Sequence, residues 1–284
     1  MAYVGERVRF VLTRAGVREV ALIAVIYGLY MASRLLASND FGDAMHRAKE
    51  ILRFERTTGL DWESALNDLF LRHEWLGLFG SYWYSTTHYI VTALVLVWLW
   101  RRSRTDYITL RRALMVATML GLAMYLLLPT APPRFVEGYV DVLRLHSDNG
   151  WWGADASAPR GLGHLTNELA AFPSLHAGWS LWVALVVYQV ARNRWLHVIG
   201  WAYPAITALV IVGTGNHWLV DAIVGWVVVL VGCVAVAPFV PIVEASFLAA
   251  TPQPRSLHAP RPLGGPLPSA DGAVVRGVDP GTSG

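Results

Sequence analysis

The chain has 284 residues, 55% of them hydrophobic and 15% charged, with a formal net charge of +3. That balance is too apolar for one soluble domain of this length and predicts an all-α, polytopic membrane helical bundle. Every positive residue except Lys49 is an arginine, and many gather in a few loops, a pattern of bilayer orientation rather than of nucleic-acid binding. Cys233 stands alone, which excludes an intrachain disulfide and a cysteine-based metal site.

Residues 1–18 carry Arg7, Arg9, Arg14 and Arg18 and are expected in the cytoplasm. A first apolar stretch at 19–37 has no small-x-small cleavage site after it and reads as a retained helix. Residues 38–79 form a first outer loop, in which Ala44–Arg56 and Trp62–Leu71 alternate apolar and charged positions at helical spacing, as helices lying on the membrane surface do. Spans two and three fall at 80–100 and 113–129, and Arg101, Arg102, Arg104, Arg111 and Arg112 crowd their connection. A second outer loop occupies 130–174. Spans four and five, at 175–191 and 196–213, meet in a tight turn carrying Arg192 and Arg194, and the last span covers 217–240. The tail from Thr251 is rich in Pro, Gly and Ser without apolar periodicity, so 246–284 reads as a disordered cytoplasmic segment after a six-helix catalytic domain at 19–245. The positive-inside rule places the arginine loops and both termini in the cytoplasm and the two long loops outside; a bacterial plasma membrane is the expected location.

Two segments then carry the chemistry: Phe172-Pro173-Ser174-Leu175-His176 and Gly213-Thr214-Gly215-Asn216-His217-Trp218-Leu219-Val220-Asp221. Span four descends ~25–30 Å and span five returns, so one helical hairpin brings both histidines to the same membrane face. Ser174 and Asn216 are expected N-caps of spans four and six, and two helix N-termini facing one spot form an anion site suited to phosphate. Asp221, four residues after His217, shares its helix face and can orient the imidazole. The run Pro129-Thr130-Ala131-Pro132-Pro133-Arg134 offers a guanidinium fork for phosphate oxygens, with Arg160, Arg53 and Arg56 as weaker candidates. His88, in Ser85-Thr86-Thr87-His88-Tyr89, either lines a headgroup groove or bonds neighbouring helices, the second being the commoner use. A His/His/Asp metal site is compatible with the residue types.

The order Pro-Thr-Ala-Pro-Pro-Arg, Phe-Pro-Ser-Leu-His, Gly-Asn-His-Trp-Leu-Val-Asp resembles the type 2 phosphatidic acid phosphatase superfamily. Within it, the chain looks most like the inositolphosphotransferase branch that includes inositol phosphorylceramide synthases. The resemblance runs from span two to span six and, more weakly, through Glu50–Glu63. It implies that His217 is a nucleophile forming a phosphohistidine, that Asp221 orients it, that His176 protonates the leaving oxygen, and that Ser174 and its neighbouring amides hold the phosphate, with no cofactor. Phosphatases of the family carry Lys-x6-Arg-Pro and Ser-Arg-x5-His. Here Val210 and Ile211 occupy the second pair, and Lys49 and Arg56 match the first only by spacing, since Thr57 follows and both precede span two. Arg134 is left as the best placed cation. The expected activity is transfer of a phosphoryl-containing headgroup from a lipid phosphate or phospholipid to a polyol such as inositol, with Trp151 and Trp152 as a cover against water. The alternatives are a lipid phosphatase using water and a non-catalytic lipid transporter. The superfamily's vanadium-dependent haloperoxidases are soluble, unlike this chain.

Overall fold

The computed structural model describes residues 41–152 and 168–237, with isolated positions between 17 and 32. The expected first span at 19–37 is described only at those isolated positions, and the tail at 246–284 and Arg160 lie outside the described residues. Among those described there are nine α-helices: α1 Phe41–Thr58, α2 Glu63–Arg72, α3 Glu74–Tyr82, α4 His88–Arg102, α5 Arg104–Leu127, the short α6 Val142–Leu145, α7 Leu175–Val190, α8 Arg194–Gly213 and α9 Leu219–Val236. No strand occurs among them, only an isolated bridge between Thr130 and Ala170. The all-α expectation holds.

Helices α5, α8 and α9 are long and apolar enough to cross a membrane, and α7 is apolar over 16 residues. Their outward faces carry Leu120 and Leu126 on α5, Ile199 and Leu209 on α8, and Leu230 and Val234 on α9. A helix apolar on every side needs hydrocarbon around it, so this is an integral membrane protein. Inside the bundle α9 packs along α5 and α7, and α8 along α7. Tryptophans bridge these helices with their polar edges satisfied: Trp182 Nε1 donates to the Leu110 carbonyl at 2.8 Å and Trp179 Nε1 to Thr118 Oγ1 at 3.1 Å. Where α7 meets α9, glycines replace side chains. A Cβ on Gly225 would lie 2.1 Å from the Ser174 carbonyl oxygen, and one on Gly178 would lie 2.9 Å from the Gly225 oxygen.

The expected boundaries shift in two places. Helix α5 begins at Arg104 rather than near 113, because Ser103 caps it by accepting from the Asp106 amide and Arg104 stacks its guanidinium 3.0 Å over the Trp100 ring. Span two is a longer run from Glu74 to Arg102 interrupted by a π turn at Trp83–Thr87. There Ser85 Oγ donates to the Ser81 carbonyl at 2.7 Å and Thr87 Oγ1 to that of Trp83, both four residues back, where hydroxyls bend and widen a helix.

Helices α1 and α2 match the two amphipathic stretches, but they do more than rest on a surface. Ala44, Ala48, Leu52 and Glu55 form one buried stripe on α1, and Glu63, Asn67 and Phe70 form another on α2. Asn67 fastens α2 to the bundle: its Nδ2 donates to the carbonyls of Val140 and Gly213, each at 3.0 Å, and its Oδ1 accepts from the Val140 amide.

Candidate active site

His217 lies at the end of the bundle opposite the arginine-rich turns, in the connection between α8 and α9. Gly215 makes the bend with φ +74°, a left-handed conformation, where a Cβ would also meet the Val140 oxygen at 2.8 Å. The Pro129–Arg134 run wraps this connection: Arg134 N donates to the Gly215 carbonyl at 2.9 Å and Trp218 Nε1 to that of Ala131 at 3.0 Å. On the other side Thr130 pairs with residues 169 and 171, which sets the Ala171 carbonyl against His217. That carbonyl accepts from His217 Nδ1 at 2.9 Å. Since a carbonyl can only accept, the proton sits on Nδ1 and the lone pair on Nε2. Nε2 is buried with no hydrogen-bond partner among the described residues.

Asp221 approaches His217 Nδ1 with Oδ2 at 3.4 Å, but the same oxygen accepts the Trp218 amide at 2.8 Å. The expected N-cap at Asn216 is therefore corrected. The helix starts at Leu219 with Trp218 at the cap, because Asp221 reaches back to that amide; His217 precedes the helix instead of sharing a helical face with Asp221. Asn216 is engaged elsewhere, accepting from Arg134 Nη1 at 2.6 Å and donating to Thr214. Arg134 also pairs with Asp141 at 3.4 Å, which leaves it next to the histidine connection with its side chain nearly buried. Ser174 does cap α7, accepting the Ala177 amide at 3.3 Å, and its own amide donates to the Asp221 carbonyl at 2.9 Å.

The hairpin brings the histidines together: the rings of His176 and His217 are 5.5 Å apart, and His88 lies 4.0 Å from His176. A cavity of about 260 Å³ opens beside them between α4, α5 and α7, lined by His88, His176, Thr92, Leu96, Met115 and Trp179 among others. Among the described residues no three His, Cys, Asp or Glu side chains come together in a group able to hold a metal ion. Arg56 pairs with Asp61 on an exposed part of α1, and Arg53 is exposed as well, so neither reaches the histidines. Trp152 is a buried core residue bonded to the Leu143 carbonyl, whereas Trp151 is exposed and donates to Thr86.

A family model described as PAP2 superfamily matches residues 49–235. The chain belongs to the PAP2 superfamily. No curated protein and no solved structure matches it. Membership supports a lipid enzyme of the phosphatase or phosphotransferase type, embedded in the membrane and acting on a lipid phosphate.

Within this PAP2 superfamily frame, three residues escaped the sequence reading. Tyr84, inside the π turn, stacks on His176 with ring centroids 4.2 Å apart. Glu55 and Glu63 are completely buried, and their Oε1 atoms accept the Val220 and Leu219 amides, each at 2.8 Å. Burial pushes the Glu55 carboxyl up to about 9 and raises that of Glu63. A signal existed, since Glu55 falls on the Ala44, Ala48, Leu52 stripe, where a carboxylate needs a partner. With Asp221 they occupy the first amides of α9. The expectation that both helix N-termini bind substrate phosphate is therefore corrected: this one is filled by the protein's own carboxyls.

Proposed function

We propose that this protein is a lipid phosphotransferase working through a phosphohistidine at the outer membrane face. One observation carries the reading: the Ala171 carbonyl holds the Nδ1 proton of His217, and Nε2, lone pair available, has no partner among the described residues. Nε2 attacks phosphorus, the bond from phosphorus to the lipid oxygen breaks, and that oxygen takes a proton from His176. An acceptor hydroxyl then attacks the same phosphorus and gives its proton to His176, and the N–P bond breaks to restore His217. The amides of Leu175 and His176, the first two of α7 and so without intrahelical acceptors, together with Arg134 supply positive charge for the phosphoryl oxygens. Asn216 holds Arg134 in place. Beside His176 the mostly apolar cavity suits the hydrocarbon part of a lipid donor, with His88 near its headgroup end.

Transfer to a polyol rather than to water is favoured by the absence of both arginine-bearing phosphatase signatures. With inositol added, a phospholipid donor labelled in the phosphate should therefore yield a new phosphodiester, and labelled phosphatidic acid should yield inositol monophosphate. Release of inorganic phosphate unaffected by every polyol tested would make the enzyme a phosphatase, and binding without turnover or phosphoenzyme would make it a transporter.

The proposed outer placement is supported by Arg101, Arg102, Arg104, Arg192 and Arg194, all at the helix ends away from the histidines. In intact cells, with Cys233 replaced by alanine, a cysteine at Gly150 should react with an impermeant thiol reagent and one at Ser103 should not. The reverse order would put the site in the cytoplasm.

A further inference from the structure

The carboxyls of Glu55 and Glu63 take no direct part in the proposed chemistry, yet they are among the most deeply buried charged groups of the described residues. Each spends one oxygen on a single amide of the same helix turn, Glu63 on Leu219 and Glu55 on Val220. These amides follow His217 by two and three residues, with only Trp218 between. The second oxygens, Glu55 Oε2 and Glu63 Oε2, are buried and receive no donor from any described group, while the amides that hold the two carboxyls are neighbours in the chain, Leu219 and Val220. Two adjacent ionised carboxylates without cations or water repel strongly; one proton between them converts that repulsion into a hydrogen bond that satisfies both free oxygens.

We infer that Glu55 and Glu63 form a proton-sharing positioning pair that clamps the first turn of α9 and thereby fixes the orientation of His217. The inference rests on the reading of His217 as the nucleophile. Geometry explains why two acids are needed. A helix N-terminus leaves its first amides without partners, and Asp221, reaching back within its own turn, satisfies only that of Trp218. The next two amides are met by residues from α1 and α2, 165 and 156 positions away in sequence. The start of α9 is thus held from outside the helix, by two separate elements. A nucleophile preceding a frayed turn would lose alignment with the phosphorus, and sub-ångström alignment is what a preorganised site supplies. Neither acid lines the cavity beside His176. Both act through backbone.

The groups facing the pair are Asp221 on α9, Asp61 in the α1–α2 connection with Arg56 bonded to it, and Tyr139 from the following loop, whose hydroxyl burial pushes up to about 12. Most of this surrounding charge is negative, which favours keeping the shared proton. With the Glu55 carboxyl raised from 4.5 to about 9, the stability it contributes is fully present below about 4.5 and is lost as pH rises through about 9.

The test uses full-length protein in detergent micelles, with dioleoyl phosphatidic acid as donor and inositol present, and His217→Ala as control. Glu55→Ala should lower kcat about 100-fold with little change in KM, as expected for misalignment of a bound nucleophile. Glu55→Gln keeps a carbonyl for the Val220 amide and an N–H for Glu63, so it should recover to within about fivefold of the wild-type kcat. A second readout needs no turnover. The unfolding temperature of wild type should fall as pH rises from 5 to about 9, and Glu55→Gln, which has no proton to lose, should flatten that slope. Equal slopes, or Glu55→Ala with wild-type kcat while His217→Ala is inactive, would overturn the pair and leave the nucleophile intact. An active His217→Ala would instead overturn the nucleophile reading, and the clamp's role in catalysis with it.

Discussion

Replacing His217 by alanine should lower turnover by at least about 1,000-fold, equivalent to about 4 kcal/mol of transition-state stabilisation, because it removes the nitrogen proposed to attack phosphorus. The side chain is buried and its removal leaves a small polar gap, so the variant should remain folded, with unchanged helicity by circular dichroism. Rapid acid-free quenching with phosphate-labelled lipid should trap an acid-labile, base-stable adduct in wild type and none in His217→Ala. Asp221→Asn provides the contrast. Its closest contact is the Trp218 amide at 2.8 Å, with the imidazole at 3.4 Å, and the stronger hold on Nδ1 is the Ala171 carbonyl. The Asn carbonyl can still accept the amide, so the rate should fall by only about 10- to 100-fold. An adduct forming in His217→Ala at the wild-type rate would refute the assignment of the nucleophile.

Gly225→Ala should also be strongly damaging, although it touches no reacting group. The added methyl would lie 2.1 Å from the Ser174 carbonyl oxygen, which belongs to backbone and cannot rotate away. Helices α7 and α9 must separate, at a cost of about 1–3 kcal/mol from overpacking alone. Their separation also stretches the bond from the Ser174 amide to the Asp221 carbonyl and carries His176 away from His217. A displacement near 1 Å at reacting groups costs about 100-fold in rate. Unfolding temperature and kcat should therefore fall together. Gly28→Ala, whose added methyl meets nothing within 4 Å, is the control and should change neither. Wild-type kinetics in Gly225→Ala would mean that the helix contact does not set the histidine spacing.

Much of this architecture is legible in one dimension because the bilayer imposes it. Spans four and five were placed to within two residues by length and hydropathy alone, and Ser174 was readable as a cap from its position before an apolar run. The histidine pairing followed from hairpin length. What stayed hidden depends on long-range partners. Asn216 has the composition of an N-cap, yet Asp221 wins the position by reaching back to Trp218, a competition that spacing cannot rank. The place of Glu55 on an apolar stripe is a local sign of burial, but nothing local says that this stripe and that of Glu63 pack beneath the start of α9. The π turn is equally silent: serine and threonine in a helix bond back to carbonyls in many contexts without adding a residue to the turn.

That turn divides one continuous rod into two halves with different neighbours. One extra residue rotates everything after it by about 100° relative to an uninterrupted α-helix. The half before it and the turn itself answer to the loop above, where Tyr82 donates to the Asn149 carbonyl and Trp151 to Thr86. The half after it faces the bundle, where His88 meets His176. Loop and bundle thus each grip their own face of the same rod, and sequence drift in the loop can proceed without turning His88 away from its partner.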